Sequence, residues 1–130
     1  MLNVPIYGMG TWGSRLIESV QGKSKKICFV SGITRDAVKH RATPDKHGLT
    51  MTTSYAETLA DPEVDALLIA TPHSMHCRHI CEAAHAKKHV FAEKPITLTA
   101  ATARQVVEAT RAAGVTLDLG FNRRYAPSFV

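Results

Sequence analysis

Three closely spaced glycines near the amino terminus constrain the fold of this chain more than any other feature. Gly8, Gly10 and Gly13 form a G-x-G-x-x-G motif between an apolar run, residues 2–7, and a segment with helical periodicity. In such a motif the first glycine permits a tight turn, the second lets a pyrophosphate approach the backbone, and the third lets the helix pack closely on the strand. Backbone N–H groups at the helix start favour an anion. The candidate dinucleotide-binding residues of this turn are Gly8, Met9, Gly10, Thr11, Trp12 and Gly13.

Short apolar runs alternate with helix-period segments along the rest of the chain, a pattern typical of α/β folds with a parallel sheet. The clearest run, residues 64–70, is nearly continuous, as expected of a strand that is covered on both faces. We predict a doubly wound parallel six-stranded sheet of the Rossmann type, with strand order 3-2-1-4-5-6. The predicted strands are residues 2–7, 27–34, 49–52, 65–71, 89–93 and 115–119.

Turn and capping residues set the boundaries of the predicted helices. The first helix is expected from Thr11 to Gly22, and the last from an N-cap at Thr99 to a stop at Gly114. Pro5 lies in the first predicted strand although proline cannot donate to a sheet ladder, so we expect a bulge or an early start there.

Length and composition indicate one globular domain, residues 1–130. The longest uninterrupted apolar run has five residues, whereas a membrane span needs about 20, so no membrane segment is predicted. The chain does not open with a signal-like segment, and its three cysteines are an odd number. These features favour a cytoplasmic protein with reduced thiols.

Basic charge is concentrated in residues 23–47. Seven Lys or Arg oppose two acidic residues there, while the rest of the chain is balanced. Only one aromatic residue, Phe29, lies in this stretch, and a nucleic-acid site would need basic residues on several elements with interleaved aromatics. We therefore expect no nucleic-acid partner. The stretch fits either an anion-binding surface or a solvated helix with surplus lysines.

The end of the second predicted strand bears on which dinucleotide binds. Sites for NAD usually place an acidic residue about 20 residues after the glycines, where it holds the ribose 2′-hydroxyl. Thr34 stands there instead, and Arg35 follows it. A guanidinium suits a phosphate dianion, so Thr34 and Arg35 favour NADP as the cofactor, with NAD possible. Asp36 would reverse this preference if the strand ended later than predicted.

Thr71, Pro72 and His73 follow the fourth predicted strand, where ligands bind in this fold. The next helix carries two histidines and two cysteines, His76, Cys77, His79 and Cys81. Their spacings match no closed tetrahedral set, so no metal site is predicted. His73 and His76 lie close enough to the strand end to reach a nicotinamide ribose.

Four motifs occur in a fixed order along the chain. They are Gly8-x-Gly10-x-x-Gly13, Val64-Asp65-Ala66 leading to Thr71-Pro72, Glu93-Lys94-Pro95, and Gly120-Phe121-Asn122-Arg123-Arg124. In this combination the chain resembles the amino-terminal half of the Gfo/Idh/MocA family, which includes glucose-fructose oxidoreductase and inositol dehydrogenase. The resemblance implies hydride transfer between NAD(P) and a sugar, polyol or related carbonyl substrate.

The same resemblance implies roles for several residues. Lys94 is the expected catalytic residue, at the junction of nicotinamide and substrate. Glu93 is expected on the cofactor side, together with Asn122, and Thr71, Pro72 and His76 at its ribose. The alternative that stays open is a Rossmann module without chemistry that senses a nucleotide or binds another protein.

Members of the family continue into a second α/β domain that supplies most of the substrate pocket. Because this chain stops at Val130, we expect residues 1–130 to bind the cofactor without turnover. We also expect exposed apolar side chains around Phe121, Tyr125 and Phe129. The expected consequence is either a homo-oligomer, namely a homodimer, or a disordered, retracted tail from Arg124 onward.

Overall fold

The computed structural model describes residues 1–129. Those residues form one parallel sheet of six strands in the order β3-β2-β1-β4-β5-β6, which confirms the predicted doubly wound topology. The strands are β1 Leu2–Tyr7, β2 Ile27–Ile33, β3 Thr50–Thr52, β4 Ala66–Ile69, β5 His89–Ala92 and β6 Leu117–Leu119. The α-helices are α1 Thr11–Val20, α2 Ala42–His47, α3 Tyr55–Ala60, α4 His76–His85 and α5 Ala100–Ala113.

Several strands are shorter than predicted because buried residues continue beyond the sheet ladder. In β4, for example, the ladder ends at Ile69, although the predicted strand extended to residue 71 and Thr71 is still buried. The expectation at Pro5 is confirmed. The register between β1 and β2 shifts there, since Val4 pairs with Phe29 and Ile6 pairs with Gly32.

Local signals in the sequence explain where the main helices begin and end. Thr99 caps α5, because its hydroxyl accepts a hydrogen bond from the Thr102 N–H and the Thr102 hydroxyl oxygen accepts one from the Thr99 N–H. Gly114 ends α5 in the left-handed conformation with φ +69°. Helix α1 ends at Val20, two residues before the predicted stop at Gly22.

Two apolar clusters hold the helices on the two faces of the sheet. Side chains alternate along β4, so Leu67 and Ile69 join the cluster that includes Ile80 of α4 and Val106 of α5. Leu68 points to the opposite face, into the cluster that contains Ile17 of α1. The helices thus leave the carboxyl ends of the strands open, where parallel sheets bind ligands.

Within the described residues, no helix has the length and apolar character that a bilayer crossing would require.

Candidate functional site

The glycine turn lies at the carboxyl end of β1. Gly8 has φ +109°, and a Cβ atom there would overlap the carbonyl group of Ala70, which follows β4. A Cβ atom at Gly13 would overlap the Gly8 carbonyl oxygen, so only glycine lets α1 pack this closely on the turn. At Gly10, by contrast, no heavy atom lies within 4 Å of the Cβ position. The first and third glycines are therefore required by packing, while the second borders open space.

The amino terminus of α1 faces the same open space. Gly10 is its N-cap and has no side chain to cap the helix, so the N–H groups of Thr11, Trp12 and Gly13 lack intrahelical partners. Such unpaired N–H groups and the helix dipole attract an anion. The side chain of Met9 is buried, so at this residue only the backbone can meet a ligand.

The chain after β2 presents Arg35 to solvent. Thr34 is buried, and its hydroxyl accepts a hydrogen bond from the Asp36 N–H at 3.4 Å. The Asp36 carboxylate accepts hydrogen bonds from the N–H groups of Val38 and Lys39, each at 3.1 Å. Asp36 therefore stabilises the turn that follows β2. Arg35 takes part in neither of the two ion pairs found among residues 1–129.

Two recesses follow the carboxyl edge of the sheet on either side of β4. The smaller encloses about 140 Å³ and brings the end of β2 next to the end of β4. Its lining residues are Tyr7, Gly8, Ile33, Thr34, Arg35, Thr71, Pro72 and Met75. Five of the site residues predicted from sequence, which follow three different strands, thus share one recess: Gly8, Thr34, Arg35, Thr71 and Pro72.

The larger recess, called here the edge cleft, encloses about 380 Å³. It brings together the start of α1, the end of β4, the loop after β5 and the segment after β6. Its lining residues are Trp12, Ala70, Thr71, His73, Glu93, Lys94, Gly120, Asn122 and Arg123. Lys94 also borders an adjoining hollow of about 320 Å³ formed with Phe121 and Arg124.

The loop after β5 fixes Glu93 and leaves Lys94 exposed. Glu93 is only 9% exposed, and its N–H donates to the Ile69 carbonyl at 2.9 Å. A Cβ atom at Gly120 would lie 2.8 Å from a carboxylate oxygen of Glu93, so the absence of a side chain at Gly120 makes room for that carboxylate. Lys94 can therefore extend into the cleft from a backbone that β4 holds in place.

His76 lies beneath the edge cleft and does not line it. Its side chain is fully buried, with Nδ1 3.0 Å from the Pro95 carbonyl oxygen and Nε2 2.9 Å from the Thr71 carbonyl oxygen. The contact with a nicotinamide ribose expected from sequence is therefore not available to its ring in this structure, since the ring has no accessible surface. His73, in contrast, is exposed and lines the cleft.

Sequence reasoning missed a cluster of aromatic rings below the glycine turn, in which His79 is buried and Tyr7 and Tyr55 are half-buried. The ring of His79 stacks on that of Tyr7 with centroids 4.4 Å apart, and its Nδ1 lies 3.2 Å from the Thr71 hydroxyl. The Tyr55 hydroxyl donates to the His79 carbonyl at 2.7 Å. Burial lowers the pKa of His79 to about 4, so the ring is neutral at pH 7, and burial raises the pKa of Tyr55. The only sequence feature that pointed to this cluster was the position of an aromatic residue, Tyr7, directly before Gly8.

In the part of the chain that the structure describes, no three His, Cys, Asp or Glu side chains are grouped closely enough to hold a metal ion. Cys28, Cys77 and Cys81 are all free thiols.

Comparison with known proteins identifies the relatives of this chain. It is 31% identical to the myo-inositol 2-dehydrogenase of Thermotoga maritima over 132 residues, which cover 98% of this chain and 38% of that enzyme. It is 45% identical to the D-xylose 1-dehydrogenase (NADP(+)) of Hypocrea jecorina over 74 residues, or 57% of this chain and 19% of that enzyme. The chain thus spans well under half the length of these relatives.

A solved structure with the same fold is GenD2 from gentamicin A biosynthesis, in complex with NAD. It superimposes with a TM-score of 0.90 and 30% identity, covering 97% of this chain and 36% of that protein. The profile of the Gfo/Idh/MocA family, described as an oxidoreductase family with an NAD-binding Rossmann fold, matches residues 2–121. The chain therefore belongs to the Gfo/Idh/MocA oxidoreductase family.

Proposed function

We propose that the protein transfers a hydride between NAD(P) and a sugar or polyol, and that residues 1–130 hold the cofactor. The observation that carries the proposal is the edge cleft, in which Trp12 at the start of α1 and Lys94 after β5 border the same space. A glycine turn at one end of the cleft and the exposed ammonium of Lys94 at the other suit a dinucleotide whose nicotinamide ring meets the substrate next to Lys94. The names of the inositol and xylose relatives support the substrate class.

The residues present fit a dinucleotide. The Cβ position of Gly10 is open, as close approach of a pyrophosphate requires, and the uncapped start of α1 supplies N–H donors. When bound, the nicotinamide supplies the carbon that gives or accepts the hydride. Lys94 binds the reacting oxygen of the substrate through its ammonium, which stabilises negative charge on that oxygen as the carbonyl and alcohol interconvert.

We propose further that NADP is the preferred cofactor. Arg35 is exposed at the recess between the ends of β2 and β4, while Asp36 is engaged with the N–H groups of the turn after it. This arrangement supports a 2′-phosphate next to Arg35 in place of the hydroxyl that an acidic residue would hold. The xylose relative is named for NADP, whereas GenD2 binds NAD, so this part of the proposal rests on Arg35.

We also propose that the protein self-associates through the exposed apolar side chains that follow β6. Phe121 is 43% and Tyr125 is 73% exposed, and both follow β6 next to the cleft. The side chain of Phe129, which was expected to join them, lies outside the described residues. Sedimentation velocity of the wild type and of Tyr125→Ser tests this part, because a dimer that uses this surface should weaken on substitution.

Binding and turnover are tested separately. Calorimetric titration of residues 1–130 with NADP and NAD should show saturable binding of at least one of them, and binding of neither would refute the proposal. The full-length protein is then assayed at 340 nm with both cofactors and a panel of inositols, aldoses and alditols. Tight cofactor binding without turnover on any member of the panel would favour a nucleotide-sensing module instead. Residues 1–130 alone should show no turnover.

A further inference from the structure

His76 connects two backbone segments that meet at the edge cleft. Its ring lies at the start of α4 with no exposed surface, between the Thr71 carbonyl, 2.9 Å from Nε2, and the Pro95 carbonyl, 3.0 Å from Nδ1. Thr71 follows β4 and borders both recesses, and Pro95 directly follows Lys94. The ring therefore spans the gap between one wall of the cleft and the loop that carries its exposed lysine.

The chemistry of these two contacts constrains where the ring carries its hydrogens. A carbonyl oxygen can only accept a hydrogen bond, so each contact requires an N–H on the ring nitrogen. Both contacts together require the imidazolium form, because a neutral imidazole has only one N–H. Burying a charge is costly unless its polar atoms are hydrogen-bonded, and here both N–H groups have partners.

Two further histidines lie next to this ring. The His73 ring meets it edge-on with centroids 5.5 Å apart, at the mouth of the cleft. His79, one turn further along α4, stays neutral because burial lowers its pKa to about 4, and its Nδ1 contacts the Thr71 hydroxyl. Thr71 is thus held by His76 at its carbonyl oxygen and by His79 at its hydroxyl.

We propose that His76 is a positioning residue that, as an imidazolium, sets the separation between Thr71 and the Lys94 loop and thereby the width of the edge cleft. The bridge itself rests on the contacts of His76 alone. Its consequence for ligands rests on the proposed function, in which the nicotinamide end of the cofactor occupies the edge cleft. His76 touches neither cofactor nor substrate in this scheme, because its ring is buried beneath the cleft.

The first experiment tests the bridge without any ligand. Long-range ¹H–¹⁵N correlation spectra of the protein labelled with ¹⁵N-histidine at pH 7 should show two protonated ring nitrogens for His76, with the signals assigned by their loss in His76→Gln. His85, which is exposed on the same helix, should show the averaged signals of a solvent-exposed ring. A neutral tautomer of His76 would overturn the proposal, since one carbonyl contact would then lack its hydrogen.

The second experiment compares the whole cofactor with the part that lacks nicotinamide. His76→Ala should weaken binding of NADP about tenfold and leave the affinity for 2′-phospho-ADP-ribose within twofold of the wild type. His76→Gln keeps one hydrogen-bond donor, so its affinity for NADP should lie between those of the wild type and His76→Ala. His85→Ala should change neither affinity. An equal loss for both ligands, or no loss for either, would overturn the positioning role. If His76→Ala does not fold, His76→Gln carries the same comparison.

The two proposals fail in different ways. If the wild type bound neither NADP nor NAD, the proposed function would be wrong while an imidazolium at His76 would still support the bridge. If the wild type bound a cofactor and His76 were neutral, only the bridge would be wrong. Where NAD proves the better ligand, NAD and ADP-ribose replace the phosphorylated pair in the comparison.

Discussion

Replacing Arg35 with alanine should remove the preference for NADP and leave the affinity for NAD almost unchanged. Arg35 borders the 140 Å³ recess between the ends of β2 and β4, and it takes part in neither of the two ion pairs among the described residues. A hydrogen bond to a charged group contributes roughly 1.5 to 3 kcal/mol. Because Arg35 is exposed, solvent screening places its contribution near 1.5 kcal/mol, which corresponds to about a tenfold change in Kd.

Lys26→Ala is the matched control for this substitution. Lys26 is exposed, belongs to the same basic stretch and carries the same charge, but it precedes β2 and so lies at the opposite edge of the sheet. Calorimetric titrations of both variants with NADP and NAD at about 0.15 M salt should show a loss only for NADP with Arg35→Ala. The difference should shrink as salt is raised. Equal losses in both variants, or a wild type that prefers NAD, would refute the assignment of Arg35 to a 2′-phosphate.

Other substitutions separate binding, folding and chemistry. In the full-length protein, Lys94→Ala should lower kcat by a factor on the order of 100 with NADP affinity nearly unchanged, and a variant with full turnover would contradict the role of Lys94. Gly10→Ala should unfold at the same urea concentration as the wild type, because no atom lies near its Cβ position, but it should lose dinucleotide binding, because the methyl group enters the space proposed for the pyrophosphate. Gly13→Ala should unfold at a lower urea concentration, because its Cβ would overlap a carbonyl oxygen. His79 should make the protein less stable as the pH falls from about 6.5 towards 4, since the unfolded chain takes up a proton there that the folded ring, with its lowered pKa, does not. In urea titrations, His79→Gln should reduce the loss of stability between these pH values. If the loss were the same as in the wild type, a group other than His79 would be responsible for it.

The fold could be predicted from the sequence almost completely because its signals are local. The glycine motif defines a strand, a turn and a helix at once, and Thr99 and Gly114 mark both ends of α5. Strand order then follows from the handedness of parallel connections and needs no long-range contact from the sequence. The predicted strand ends were less accurate. Thr71, for example, is buried like a strand residue although it lies beyond the last paired residue of β4.

The site was predictable to the level of which loops contribute to it. All parallel strands end at one edge, so any residue that follows a strand is a candidate, and this rule brought Thr34, Arg35 and Thr71 to one recess. The rule gives the position of a backbone segment and contains no information on where its side chain points. Met9 shows the limit, because its place in the turn suits a ligand while its side chain belongs to the core.

His76 shows the same limit with a consequence for the chemistry. As the first residue of α4, it lies close to the carboxyl edge, which is why the sequence favoured a contact with the cofactor. Whether its ring faces the cleft or the space beneath it depends on how α4 packs against the loop after β5, and that loop is 19 residues further along the chain. A pair of backbone carbonyls carries no signature in the amino-acid sequence, because every residue has one. Residues that position a site through backbone contacts therefore emerge only from the structure, and the ring protonation of His76 is the measurable quantity that separates such a role from direct contact with a ligand.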